Sequence, residues 1–179
     1  MEDDLNPPGW SYNPSTWRQR LWIVAVALVA FVIAAYLSLY QYRIVSDVWE
    51  PFFGSGSRTI LDSWVSKLLP VSDAALGAFS YLLDAVSGAI GGKRRWRTMP
   101  WMVILFGIAV GPLGLVSLVL VILQPTLFET WCTLCLVTAV ISVIMIGPSM
   151  DEVLASLQHL KRETSRGRSL WGVFWGLEG

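Results

Sequence analysis

The sequence predicts an all-α integral membrane protein: a four-helix transmembrane bundle with an outward-facing loop and capping helix, followed by a C-terminal amphipathic helix. Composition is the first observation behind this prediction. Only 15% of the 179 residues are charged and 54% are hydrophobic, whereas a soluble domain carries about a quarter charged residues. The second is a set of long segments almost free of charge, and the third is the gathering of basic residues into clusters between them.

Residues 1–20 form a polar, turn-rich arm (MEDDLNPPGWSYNPSTWRQR). Its acidic start does not resemble a cleavable signal peptide, and it is expected to stay cytoplasmic. Residues 21–40 contain no charged side chain, enough to cross a bilayer as a helix, so the first span is placed at about 21–41. The second, at about 71–91, is only moderately apolar and carries Asp73 and Asp84. Its alanines, glycines and serines suit a helix packed among helices rather than against lipid. The third, at about 99–124, is uncharged and holds Gly107 and Gly111, a small-xxx-small spacing that lets another helix approach. Pro112 is a possible kink. The fourth, at about 127–147, begins around Glu129.

Arg18 and Arg20 precede the first span, Lys93, Arg94, Arg95 and Arg97 fill the link between the second and third, and Lys161, Arg162, Arg166 and Arg168 follow the fourth. The intervening links are poor in basic residues. This asymmetry predicts both termini on the cytoplasmic side. Trp22, Trp49, Trp96, Trp101 and Trp131 fall near span ends, where the amphipathic indole anchors at the interface. The 42–70 loop then faces outward. Within it, Ile60, Leu61, Trp64 and Leu68 share a helical face over 57–69, giving either a cap over the bundle mouth or a plain interfacial helix. Residues 148–179 are read as a cytoplasmic amphipathic tail, helical over 150–163, with His159 solvated and Leu170, Trp171, Phe174 and Trp175 able to touch the membrane.

The chain balances 13 basic against 13 acidic residues, which gives no support to nucleic-acid binding. Two cysteines and one histidine fall short of the four ligands of a structural zinc site, so no metal is expected. Asp84 is placed where it could reach the inner interface and pair with Lys93 or Arg94; its alternative is a proton path, since intramembrane carboxylates are functional candidates by default.

The two cysteines, Cys132 and Cys135, lie in ETWCTLCLV, near the outward end of the fourth span. Counting from Leu127 at 1.5 Å per residue puts them roughly 8–12 Å into the outer half of the membrane. Disulfides form and persist on that side, and residues three apart on a helix can be bridged. The alternative is a pair of small buried hydrophobes. As the only cysteines in the chain, adjacent and outward, they favour redox chemistry, with a membrane quinone as the oxidant that shares their phase.

The chain resembles the vitamin K epoxide reductase family, particularly its bacterial members, over about residues 18–147. The likeness rests on WCTLCL, on AAYLSLY closing the first helix, on the loop segment SRTILDS, and on LPVSDAALGAFSY at the second helix. It implies a bacterial plasma-membrane protein with catalytic Cys132 and Cys135: Cys135 faces a quinone of menaquinone or ubiquinone type, and Cys132 exchanges with an external dithiol, such as a thioredoxin-like protein. It places Ser57 and Ser63 at loop positions near the active site, where the family usually has a shuttle cysteine and a polar serine. Asp73 falls beside the quinone entrance as a cofactor-binding candidate. The chain departs from the family in having no loop cysteine, and in Ala139, where some members carry a tyrosine. Two functions follow as expectations: a quinone-dependent thiol–disulfide oxidoreductase, or a catalytically degenerate member acting as a quinone-binding or structural membrane subunit.

Overall fold

The computed structural model describes residues 6–68 and 70–177. Among them the chain forms helices and no strand: α1 (Trp17–Gln41), α2 (Gly56–Leu61), α3 (Asp73–Ala89), α4 (Arg95–Thr98), α5 (Pro100–Phe128), α6 (Thr133–Ser165) and α7 (Leu170–Phe174). Three of these, α1, α5 and α6, are long and apolar enough to cross a membrane. The fourth major helix, α3, has 17 residues. It packs against α1 and α5, while α6 packs against α5 and α1.

Small side chains set these approaches. Ala27, Ala30 and Ala34 recur along one face of α1 and are buried; Ala30 and Ala34 meet Ala78 and Tyr81 of α3. On α5 a Cβ at Gly107 would lie 2.2 Å from Val153 Cγ2, and one at Gly114 would lie 2.8 Å from Ile146 Cδ1. The close approach to α6 is therefore marked by Gly107 and Gly114, two helical turns apart, while Gly111 faces open space. Ile23, Ala27, Ala85, Phe106, Val110 and Met145 close the core between all four helices. Leu28, Val32, Leu105, Ile108 and Val119 point outward and stay exposed, as suits a surface solvated by hydrocarbon.

The arginine-rich end is bound together by more than a charge preference. Arg20 is buried and donates from Nε to the Gly88 carbonyl (3.0 Å) and from its Nη atoms to those of Ile90 (2.6 Å) and Gly91 (2.7 Å). It thereby satisfies carbonyls that the end of α3 leaves without helical partners. Arg95 turns inward, with Nε 2.5 Å from Glu152 Oε1 and a second contact from Nη2 to Oε2. Ser15 of the arm donates to the same carboxylate.

Several expectations change. The fourth span at about 127–147 and the helix expected over 150–163 are one element, α6, which runs unbroken from Thr133 to Ser165. Its later turns bury Ser149, Glu152, Val153, Ser156, Leu160 and Glu163, a three-and-four spacing that continues the helix by packing. The Gln19 side chain reaches the Pro148 carbonyl (3.4 Å), and Ser149 Oγ donates to the Met145 carbonyl (2.7 Å). The helix expected over 57–69 is confined to α2, followed by turns; Leu61 is buried, whereas Trp64 and Leu68 remain exposed. Trp96 is a core residue, 4% exposed, rather than an interfacial anchor. His159 is half-buried edge-on against Trp96, with ring centroids 5.6 Å apart, rather than solvated. Asp84 is buried and its Oδ1 has no hydrogen-bond partner, so the pairing with Lys93 or Arg94 does not form. Arg95 is the cation that turns inward instead.

Candidate functional site

The two cysteines sit at a helix start. α5 runs past Pro125 to Phe128, and Glu129 caps it in the left-handed conformation (φ 52°). The chain turns over 129–132, and α6 begins at Thr133 with Cys132 as its N-cap. The helix thus starts six residues later than the expected Leu127, and the depth counted from there does not apply. Cys132 and Cys135 are joined by a disulfide with a Cα–Cα distance of 5.2 Å. The Cys135 N–H points at Cys132 Sγ (3.2 Å), and the Cys132 N–H donates to Gln124 Oε1 (3.0 Å).

The two sulfurs differ in access. Cys132 is fully buried, packed with Leu37 and Tyr40 of α1 and with Val48 and Leu61 of the loop. Cys135 is half-buried and lines a cavity of about 350 Å³.

Glu50 fastens the loop over Cys132. Its carboxylate accepts from the Thr133 N–H (2.9 Å) and from the hydroxyls of Thr133 and Ser57. The N–H groups of Phe52 and Phe53 also donate to it, each at 3.3 Å. Burial acts to raise the Glu50 pKa, but the bonds from Ser57, Thr133 and Phe52 together outweigh it and hold the group at about 2. It is therefore ionised, an anion at the N-terminus of α6. Gly56 lies flush against the turn: a Cβ there would be 2.1 Å from the Trp131 carbonyl oxygen.

The cavity is walled by apolar side chains, among them Ala34, Leu37, Ile60, Leu120 and Phe128. Asp73, Ser63, Gln124 and Tyr81 supply polar groups to the same wall. Asp73 is the first residue of α3, behind its N-cap Ser72. Its Oδ1 accepts from Gln41 Nε2 (2.6 Å), Ser66 Oγ (2.7 Å) and the Ala74 N–H (2.8 Å). Ser63 Oγ accepts from the Ser66 N–H (3.3 Å). Tyr81 donates to the Thr138 carbonyl (3.2 Å) and lies 2.7 Å from Ser142 Oγ. A hydroxyl from α3 thus reaches the turn of α6 beside Ala139.

Of the residues singled out in the sequence, Cys135, Asp73 and Ser63 share this cavity. Cys132 lies behind it, and Ser57, fully buried, faces Glu50. Glu50, Gln124 and Tyr81 were not singled out. Gln124 carried a signal, as the amide ending an otherwise apolar span; Glu50 carried only its isolation in VWEPFFG. Among the described residues no three His, Cys, Asp or Glu side chains are grouped to hold a metal.

These features define a helical protein whose spans suit a bilayer and whose one disulfide closes the start of α6 next to an apolar cavity. A sequence model of the vitamin K epoxide reductase family matches residues 21–149, and the chain belongs to that family. It is an integral membrane protein of a quinone-linked, thiol–disulfide family. No curated protein and no solved structure matches it.

Proposed function

We propose that the protein is a membrane thiol–disulfide oxidoreductase that takes electrons from an external dithiol through Cys132 and Cys135 and delivers them to a quinone. The observation that carries this is the disulfide itself, with Cys135 on the wall of the apolar cavity and Cys132 at the N-cap under the loop. In the proposed topology α1, α3, α5 and α6 all span a bacterial plasma membrane, both termini are cytoplasmic, and the cysteines lie toward the outer side.

In the exchange step a partner thiolate attacks Cys132 Sγ, the Cys132–Cys135 bond breaks, and Cys135 leaves as thiolate. The partner's second thiol then attacks the mixed disulfide, releasing Cys132 and an oxidised partner. Because Cys132 is covered, Val48 and Leu61 must move aside first. A thioredoxin-like dithiol protein fits this step, since exchange needs two adjacent thiols on a protruding segment.

The cavity has the volume and apolar lining of a small-ligand site, and a quinone ring fits its character. Gln124 supports that fit: its Oε1 is taken by Cys132, and its amide Nε2 has no protein acceptor among the described residues. Gln124 Nε2 and Tyr81 would orient the ring oxygens, Cys135 would face the ring, and Asp73 and Ser63 would line the entrance. Bound there, menaquinone or ubiquinone would accept the two electrons and two protons of the dithiol, restoring the disulfide.

The test is direct. Detergent-purified protein, reduced and freed of reductant, receives a menaquinone or ubiquinone analogue, and thiols and quinol are followed together. Wild type should oxidise its two thiols with one equivalent of quinol formed, and Cys135→Ala should form none. Thiols that stay reduced, or quinol production unchanged by Cys135→Ala, overturn the proposal. The complete burial of Cys132 favours a second reading, a non-catalytic quinone-binding or structural subunit. On that reading, cells carrying Cys132→Ala plus Cys135→Ala form disulfides in exported proteins as wild type does.

A further inference from the structure

A second cavity lies at the other end of α6, formed where the arm, α4 and the last turns of that helix converge. It measures about 290 Å³, and its wall includes Pro7, Trp96, Arg97, His159 and Arg162. The cysteines are at the start of α6 and take no part in it.

The polar groups here lack partners of a consistent kind. Arg97 is half-buried and forms no ion pair or hydrogen bond through its guanidinium among the described residues. Arg162, also half-buried, has one side-chain bond, to the Pro8 carbonyl (2.7 Å), and no carboxylate. The indole N–H of Trp96 is buried without an acceptor, and His159 Nε2 is buried without a partner. The Glu163 carboxylate on the same wall is paired with Arg166 (2.8 Å) and Arg168 (3.1 Å), although its Oε2 accepts no hydrogen bond.

An indole N–H can only donate, and so can a guanidinium. Buried donors without acceptors mark a place where an acceptor is missing. What fills the cavity must therefore present several acceptor oxygens and negative charge. A phosphate group does both, and guanidinium forks match its oxygens. A cationic ligand would meet Arg97 and Arg162, and the one carboxylate on the wall, Glu163, is already paired with two arginines.

We infer that Trp96, Arg97, His159 and Arg162 form a binding site for a phosphate-bearing ligand at the basic end of the molecule. The phosphate comes either from an anionic lipid headgroup or from a soluble phosphate compound. Exposed Leu154 and Leu157 on α6 offer acyl chains a path alongside.

The full chain in detergent is titrated with phosphatidylglycerol and with phosphatidylcholine, bound lipid being read by native mass spectrometry, and separately with inorganic phosphate by calorimetry. Phosphatidylglycerol favoured at least tenfold over phosphatidylcholine, and not displaced by phosphate, identifies a headgroup site. Saturable binding of inorganic phosphate that displaces the lipid identifies a soluble ligand. In either case Arg97→Gln plus Arg162→Gln should weaken binding at least tenfold. Arg18→Gln plus Lys93→Gln removes the same charge from exposed positions at the same end and should leave binding within about twofold. Trp96→Phe keeps an aromatic ring but removes the indole N–H along with part of the ring system; it should weaken binding severalfold, and it decides the matter if the double arginine variant does not fold. Equal binding of both lipids with no phosphate binding overturns the inference. So does an equal loss in the Arg18 and Lys93 variant, or a Trp96→Phe protein that binds as wild type.

Discussion

Glu50 ties three pieces of chain together: its own turn through Phe52 and Phe53, the buried Ser57 of α2, and Thr133 at the start of α6. Its pKa is depressed from the ordinary 4.5 to about 2, so its contribution to stability is complete above about pH 4.5 and fades as pH falls toward 2. Thermal midpoints measured across that window should fall for wild type relative to Glu50→Gln, with the two converging at the acid end. A pH-independent gap between them would show that the charge has no part in the latch. Gly56 offers a sharper case. Its Cβ position falls 2.1 Å from the Trp131 carbonyl, and main chain on both sides leaves little room to yield. Gly56→Ala should cost about 1–3 kcal/mol and should speed alkylation of Cys132 in the reduced protein; unchanged alkylation would mean the loop does not cover that sulfur. The cysteine pair was legible in the sequence because two scarce residues stood at a meaningful spacing. Glu50 was not, since its partner Thr133 lies 83 residues away and no local pattern connects them.

Among the elements, the helices were legible wherever charge was absent over twenty residues, as in α1, or where small residues replaced large ones, as in α3. Their ends were less so. The spans placed at about 99–124 and 127–147 stop just short of Pro125 and Pro148, yet α5 and α6 continue through both, because packing outweighs one lost backbone bond. The capping helix read over 57–69 shortened to α2 because Ser63 and Ser66 turn inward and their bonds serve turns rather than a helix. At the basic end, charge patterning predicts a side of the membrane but gives no sign of the inward turn of Arg95. Arg95 and Glu152 are each 1% exposed, and a buried pair that loses one member leaves an uncompensated charge. Glu152→Ala should therefore cost about 3–5 kcal/mol, read as a drop in thermal midpoint. Arg95→Met combined with Glu152→Met should recover most of it. If the double variant is no better than the single, the pair is not the element that joins α4 to α6.

The orientation proposed for the whole molecule rests on the distribution of lysine and arginine. In a Cys132→Ser plus Cys135→Ser background, Phe52→Cys should react with an impermeant maleimide on intact cells. Ser165→Cys should react only after lysis; the reverse pattern would invert the topology. Family membership over residues 21–149 agrees with the resemblance carried by WCTLCL and the loop. The two site residues that the sequence did not single out, Glu50 and Gln124, needed coordinates, because each acts on a neighbour that folding brings near. One feature reaches across all of this. At 1.5 Å per residue, the 33 residues of α6 make a rod of about 50 Å, longer than the roughly 30 Å hydrocarbon layer. Pushing on one end of a stiff rod moves the other. A fluorophore attached at Ser165, far from the sulfurs and tied to them by unbroken helix, would be a gauge by which the making and breaking of a bond on one side of a membrane could be watched from the other.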